Sequence, residues 1–351
     1  MYKKLTLFLS LSLVHLSVMA DNLPNQFDPN TQMPMAHQEY WEPIDQSAFY
    51  AGADFLFWRT LQHHTSFLVH NQFNSGQRDS VIGDYLNADF QWDAGFRGKL
   101  GYRFKPTFWE LEAVYTFFSN TGGGGMGGPT TQNFIEIGVN EQRTAALLVR
   151  SDSTVDLEYH TGDILLARRM LITPNFLLRF FAGATAGYIR ETFSFTYLSR
   201  AINAFDTKER FDIDFEGWGP KLGVSYDQYI GKGFSLFSQL AVGALVGSYK
   251  YQIDVSTFKN TSIFTKVQTL QDRLIDETRV TTTSQLIFGP SYAIASKDKW
   301  GLNIKALYEV NPWFNFYEFA LSTSGANRRQ PRNLKAMMCP QGLTMSATLT
   351  F

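Results

Sequence analysis

Apolar and polar side chains alternate with a period of two along most of the chain, the pattern of strands with two unlike faces. At the end, Leu343, Met345, Ala347, Leu349 and Phe351 share one face, and Thr344, Ser346, Thr348 and Thr350 share the other. Ala94, Phe96, Gly98, Leu100 and Tyr102 oppose Asp93, Gly95, Arg97, Lys99, Gly101 and Arg103. Trp109, Leu111, Ala113, Tyr115 and Phe117 oppose Glu110, Glu112, Val114 and Thr116. The alternation recurs over 217–227 and 300–310. It predicts strands near 48–58, 91–104, 108–118, 153–170, 176–196, 217–229, 234–250, 278–294, 300–311 and 342–351.

Alternation alone does not separate a soluble sandwich from a membrane barrel. The connections do. Lys105-Pro106-Thr107, Ile172-Thr173-Pro174-Asn175, Gly231-Lys232-Gly233 and Ala295-Ser296-Lys297-Asp298-Lys299 carry turn chemistry. Between them lie long polar stretches at 59–90, 119–152, 197–216, 251–277 and 312–341. Short and long connections therefore alternate, as in an all-β transmembrane antiparallel barrel with short periplasmic turns and long external loops. About ten strands fit, with eight to fourteen compatible, and an even count puts both chain ends on the periplasmic side. Trp58, Trp92, Trp109, Trp218, Trp300 and Trp313 fall at predicted strand ends, where an aromatic girdle sits at headgroup level.

Composition agrees. Aromatic residues are 15% of the 351 and charged residues only 18%, below the usual quarter, yet mean hydropathy is -0.18. A barrel combines these values because lipid-facing residues alternate with lumen-facing ones. The net charge of -1 argues against a nucleic-acid surface. The single Cys339 excludes an intramolecular disulfide framework and a multi-cysteine zinc site.

The N-terminus reads as an export signal over residues 1–20. Lys3 and Lys4 precede an apolar run from Leu5 to Val18, and Val18-Met19-Ala20 places cleavage before Asp21. Residues 21–47 read as a periplasmic extension or plug, and 48–351 as the barrel. The expected location is the bacterial outer membrane.

Several blocks resemble the pore-forming outer-membrane protein family typified by the legionellal major outer-membrane protein, with relatives among chlamydiae. They are Ala53-Asp54-Phe55-Leu56-Phe57-Trp58, the run Trp92–Tyr102, Trp218-Gly219-Pro220-Lys221-Leu222-Gly223 and Gly231-Lys232-Gly233-Phe234-Ser235-Leu236-Phe237. Ala94 stands where the family pattern has Pro, and the lone cysteine departs from cross-linked chlamydial relatives. The resemblance implies a porin-like channel. The terminal strand ending in Phe351 resembles the signal by which the barrel-assembly machinery recognises its clients.

If the lumen is open, its lining sets selectivity. Inward candidates are Asp93, Arg97, Lys99, Arg103, Glu110, Glu112, Asp156, Glu158, Arg179, Lys221, Lys305 and Glu309, with Arg97 and Lys99 expected to face Glu110 and Glu112. The alternative is that these charges pair and fill a narrow lumen. The expected partners are outer-membrane lipid and small polar solutes, with a homo-oligomer left open and no cofactor. The rival enzyme reading, a protease or lipid acyl hydrolase, rests on His63-His64, and adjacent strand residues point to opposite faces. The run Thr121–Pro129 lacks a Gly-Lys-Ser/Thr ending and is expected to be an external loop tip. A structural or adhesive barrel shares every one of these features.

Overall fold

The computed structural model describes residues 47–62, 66–71, 83–104, 109–127, 133–136, 148–173, 175–199, 205–259, 265–295, 300–325 and 328–351. The expected signal peptide, residues 21–46, Lys105-Pro106-Thr107 and His63-His64 lie outside them. The strands in chain order are β1 (Ala48–Gln62), β2 (Ser66–Asn71), β3 (Gly83–Asn87), β4 (Asp89–Phe90) and β5 (Asp93–Phe104). Next come β6 (Trp109–Gly127), β7 (Asn133–Glu136), β8 (Leu148–Thr173), β9 (Phe176–Ser199) and β10 (Phe205–Gly231). The last are β11 (Phe234–Lys259), β12 (Thr265–Ala295), β13 (Gly301–Val310), β14 (Trp313–Gly325) and β15 (Arg328–Thr350).

Ten of these, β1, β5, β6, β8 to β13 and β15, pair antiparallel in a ring, and β1–β15 pairing closes it. Phe49 and Phe351 exchange backbone hydrogen bonds at 3.0 and 2.9 Å, so the terminal strand seals the barrel against the first. Closure leaves no edge in hydrocarbon, which lipid requires because it offers no hydrogen-bond partner. β14 continues the course of β13 after an interruption at Asn311-Pro312, and β2, β3 and β7 form a separate small sheet. The turn joining β10 to β11 needs left-handed backbone: Lys232 has φ 52 and Gly233 has φ 84, the latter at no steric cost.

Most strands are longer than expected, and nearly all the excess is external. β10 has 27 residues and β12 has 31, against the roughly 9–11 that cross a bilayer. The stretches 197–216, 251–277 and 312–341, expected as loops, are mostly strand. Thr121–Gly127 is also strand, not a loop tip: Gly127 opposes Arg150, and Gly122 and Gly123 oppose Phe90 and Asp89. A Cβ on Gly122 would lie 2.3 Å from the Asp89 oxygen, so glycine there lets two backbones approach.

Two zones result. In the band nearest the periplasmic turns, Leu111, Ile164, Leu166, Leu222, Leu240, Leu286, Ile304 and Met345 are exposed outward, toward hydrocarbon. Rings at Trp109 and Trp300 edge this band on one side, and Trp92 and Trp218 on the other. Above it the barrel continues as a collar whose outward residues are mostly charged or hydroxyl-bearing and whose interior is mostly apolar. Val155, Leu157, Ile189, Phe193, Phe211, Ile213, Phe215, Tyr249, Tyr251 and Ile253 are buried there in one cluster.

Candidate functional site: a charged lumen under an aromatic septum

The band's interior is polar because its inward residues alternate with lipid-facing ones, and its charges are paired. Asp54 on β1 directly opposes Arg97 on β5, which opposes Thr116 on β6. The Arg97 guanidinium donates to both Glu309 oxygens, at 2.7 and 3.0 Å, and to Asp54 at 3.3 Å, while its Nε donates to Thr116 Oγ1 at 2.9 Å. This fork meets a carboxylate bidentately, the stronger form of such a pair. Lys99 Nζ sits 2.7 Å from Asp54. Glu309 also accepts from Gln285 at 2.6 Å, Asn311 at 3.1 Å and Thr344 at 3.2 Å. Each buried carboxylate in this network is therefore met by several donors, and the Arg97 guanidinium by several acceptors.

A second network centres on Glu110. Its carboxylate lies 2.9 Å from Arg103 Nε, 2.6 Å from Arg169 Nε and 2.9 Å from Arg179 Nε. Arg169 and Arg179 oppose each other directly across β8 and β9, an arrangement destabilising by itself. The shared acid between them offsets the repulsion. Arg179 also reaches Glu112 at 3.2 Å, and Tyr50 donates to Glu112 at 2.9 Å. On the far wall Lys221 on β10 meets Asp163 on β8 at 2.7 Å, over Gly183 on the intervening β9. Lys305 Nζ stands 3.6 Å over the Phe237 ring.

Between these walls is a cavity of about 210 Å³. It runs from Gly233 and Tyr229 at the periplasmic turn up to Tyr159, Asn311 and Trp313. At roughly 10–15 Å³ per water it has room for on the order of 15. Above it the lumen is crossed by rings. Trp313 meets Tyr159 edge-on at 5.8 Å and Phe215 at 6.2 Å, and Phe316 meets Phe215 at 5.9 Å. Trp58 packs on Phe118 at 5.5 Å and donates its N–H to Thr344 Oγ1 at 3.1 Å. β8 and β14 come from opposite sides of the ring, so the Tyr159–Trp313 contact bridges the lumen.

Ten of the sequence candidates are inward in the described barrel: Asp93, Arg97, Lys99, Arg103, Glu110, Glu112, Arg179, Lys221, Lys305 and Glu309. Asp93 does not line the cavity; it accepts from Asn120 Nδ2 and the Thr121 N–H, both at 2.8 Å, near the external end. Asp156 and Glu158 point outward, because Val155, Leu157 and Tyr159 take the interior of β8 in the collar. The expected facing of Arg97 and Lys99 with Glu110 and Glu112 is also corrected. The β5–β6 register sets Phe104 against Trp109, so Glu110 opposes Arg103 and Glu112 opposes Gly101.

Trp92, Trp109, Trp218 and Trp300 are exposed as a girdle requires, Trp218 by 72%. Trp58 and Trp313 are buried inside the barrel instead, at 0% and 3%. The parity of Trp58 with Asp54 and Leu56, against Phe55 and Phe57, was the available signal. Sequence reasoning also passed over Asp54, Asp163 and Arg169, which are charged, inward and at cavity height. Asp163 and Arg169 share their parity with Leu165 and Ala167, so no alternation of polarity marked them out.

A family model described as the Legionella pneumophila major outer membrane protein precursor matches residues 42–337. No curated protein sequence matches the chain. Among solved structures, the outer membrane protease OmpT from Escherichia coli is similar at 11% identity, covering 87% of this chain and 96% of that one, with a TM-score of 0.43. A Pseudomonas aeruginosa FadL homologue matches at 9% identity over 94% and 98%, with a TM-score of 0.26. The Pseudomonas putida toluene transporter TodX matches at 7% identity over 91% and 94%, with a TM-score of 0.25.

Proposed function

This chain belongs to the family of the Legionella pneumophila major outer membrane protein, and we propose that it is an outer-membrane channel for small polar solutes whose external end is shut at rest. The observation that carries this reading is the charged cavity of about 210 Å³ at bilayer height. A barrel serving only as a wall has no need of it: buried ion pairs are seldom more stabilising than well-packed apolar side chains of the same volume. Here the paired networks leave free space between them, lined by Lys99, Glu112, Asp163, Lys221 and Lys305. Both signs line the path, which suits polar solutes of moderate size. No catalytic step is part of this reading.

A second reading is favoured by the septum: a closed structural barrel that displays its external segments. Proteoliposome swelling with sugars of graded size, alongside planar bilayers, separates the two. The channel gives stepwise conductance and uptake of the smallest sugars, and Glu112→Lys shifts the reversal potential toward anions. Silence over repeated insertions of protein that is heat-modifiable in SDS supports the structural barrel.

A further inference from the structure

The septum is not built equally from the whole ring. Trp313, its largest bridging side chain, stands at the start of β14, directly after the Asn311-Pro312 interruption. The β12–β13 ladder runs to Leu286 opposite Val310 and stops there. Beyond it β14 holds β12 by two ladder pairs, Thr282 with Phe314 and Thr283 with Trp313, and by a Ser284 N–H to Pro312 carbonyl bond of 3.0 Å. Asn315 then takes φ 58, left-handed backbone that turns the chain off the ladder. β14 pairs with β15 at Trp313 opposite Met338 and again from Tyr317 to Gly325, and beyond Trp313 and Phe314 it has no pairing with β12 among the described residues. The collar wall thus has a seam between β12 and β14, spanned by the Arg279 guanidinium donating to the Phe316 carbonyl at 3.3 Å and by Asn315 Nδ2 donating to the Val280 carbonyl at 3.2 Å.

The indole lies on a surface cleared for it. A Cβ on Gly187 would come within 2.8 Å of the Trp313 ring, so β9 presents bare backbone to the tip of the side chain. The same indole forms the roof of the charged cavity. Trp313 therefore closes the cavity together with Tyr159, and it stands where the β12–β14 ladder is only two pairs long.

We infer that Trp313 is the constriction that passes or stops solutes, and that the passage opens when the start of β14 separates from β12 along the seam and draws the indole off Gly187 and Tyr159. The inference rests on the channel reading. Opening costs two ladder pairs, the hydrogen bonds from Ser284 to Pro312, Asn315 to Val280 and Arg279 to Phe316, and a few ring contacts, while the membrane band, closed through β13 and β15, stays intact. A solute leaving the cavity then passes Asn311 and emerges at the seam, not through the packed centre of the collar.

The test is a staple across the seam in the full barrel. Thr282 and Phe314 oppose each other in the ladder, and opposed residues have Cα atoms about 4.5–5.5 Å apart, within reach of a disulfide. In a Cys339→Ala background, Thr282→Cys with Phe314→Cys is oxidised, checked for heat-modifiable folding in SDS, and placed in planar bilayers. The expected result is at least a tenfold loss of openings on oxidation, restored by dithiothreitol. Trp313→Ala, without the staple, should open more often than the unsubstituted chain. Unchanged conductance of the oxidised staple overturns the gate and leaves the channel standing. If the folded chain and the folded Trp313→Ala variant are both silent, the channel reading itself falls, and the gate with it.

Discussion

β8 and β10 pass through two environments without changing parity, and the chemistry of their faces changes places. In the band, β8 sends Ile164 and Leu166 outward and Asp163 and Arg169 inward; in the collar it sends Asp156 and Glu158 outward and Val155 and Leu157 inward. β10 does the same, with Leu222 out and Lys221 in below, and Arg210, Asp212 and Asp214 out over Phe211, Ile213 and Phe215 above. The collar is an ordinary soluble barrel, apolar inside and solvated outside. The band inverts it because its outer solvent is hydrocarbon. The outward charges of the collar pair locally: Arg190 Nε meets Asp214 at 2.8 Å, and Arg210 Nε meets Asp212 at 2.8 Å. Exposed pairs of this kind contribute little. The collar is held by its core.

The contrast breaks most sharply at that core. Phe215→Ala removes a fully buried ring that touches Trp313 and Phe316, and should cost about 3–5 kcal/mol, read as a lower urea midpoint of the detergent-folded barrel. A cost under about 1 kcal/mol would mean that the collar interior is not packed.

A paired substitution tests the boundary itself. Leu222 and Ser194 are both outward, one in the band and one in the collar. Leu222→Arg should destabilise the bilayer-inserted barrel by about 2–4 kcal/mol, while Ser194→Arg should stay within about 0.5 kcal/mol. Equal costs in lipid vesicles would place the boundary elsewhere.

The smallest effect concerns Glu191, an acid buried in the collar between Leu157 and Ile213. Burial pushes its carboxyl well above the usual carboxylate range, and the nearby Gln62 amide offsets this only in part. The folded state therefore binds a proton that the unfolded state releases, so stability falls as pH rises from the ordinary carboxylate value toward the raised one. Glu191→Gln should flatten that slope in urea titrations run at several pH values. A slope unchanged in the variant would assign the pH dependence to other groups.

The sequence carried the ring almost entirely. Strict alternation over 94–103 and 343–351 reappears as β5 and β15, and the turn chemistry at Gly231-Lys232-Gly233 reappears as a tight reversal. The collar was harder to see because hydroxyl and charged residues dominate its outward face, so Asp212, Asp214 and Glu216 read as a polar loop. The candidate site was half legible. Arg97, Lys99 and Glu309 show themselves as charges opposite apolar neighbours. Their partners do not, because Arg97 meets Glu309 across 212 positions of chain.

By itself, then, the sequence determined that the chain folds as a barrel and, where polarity alternates cleanly as in β5 and β15, which parity faces lipid, because a period of two leaves the backbone a single way to sort its side chains between two solvents. Only the tertiary structure decided which charges pair, where the lipid boundary falls, and that Trp58 and Trp313 turn inward to cross the lumen. Those outcomes depend on the register between strands far apart in sequence and on which rings meet once the ring has closed, and local alternation carries no information about either.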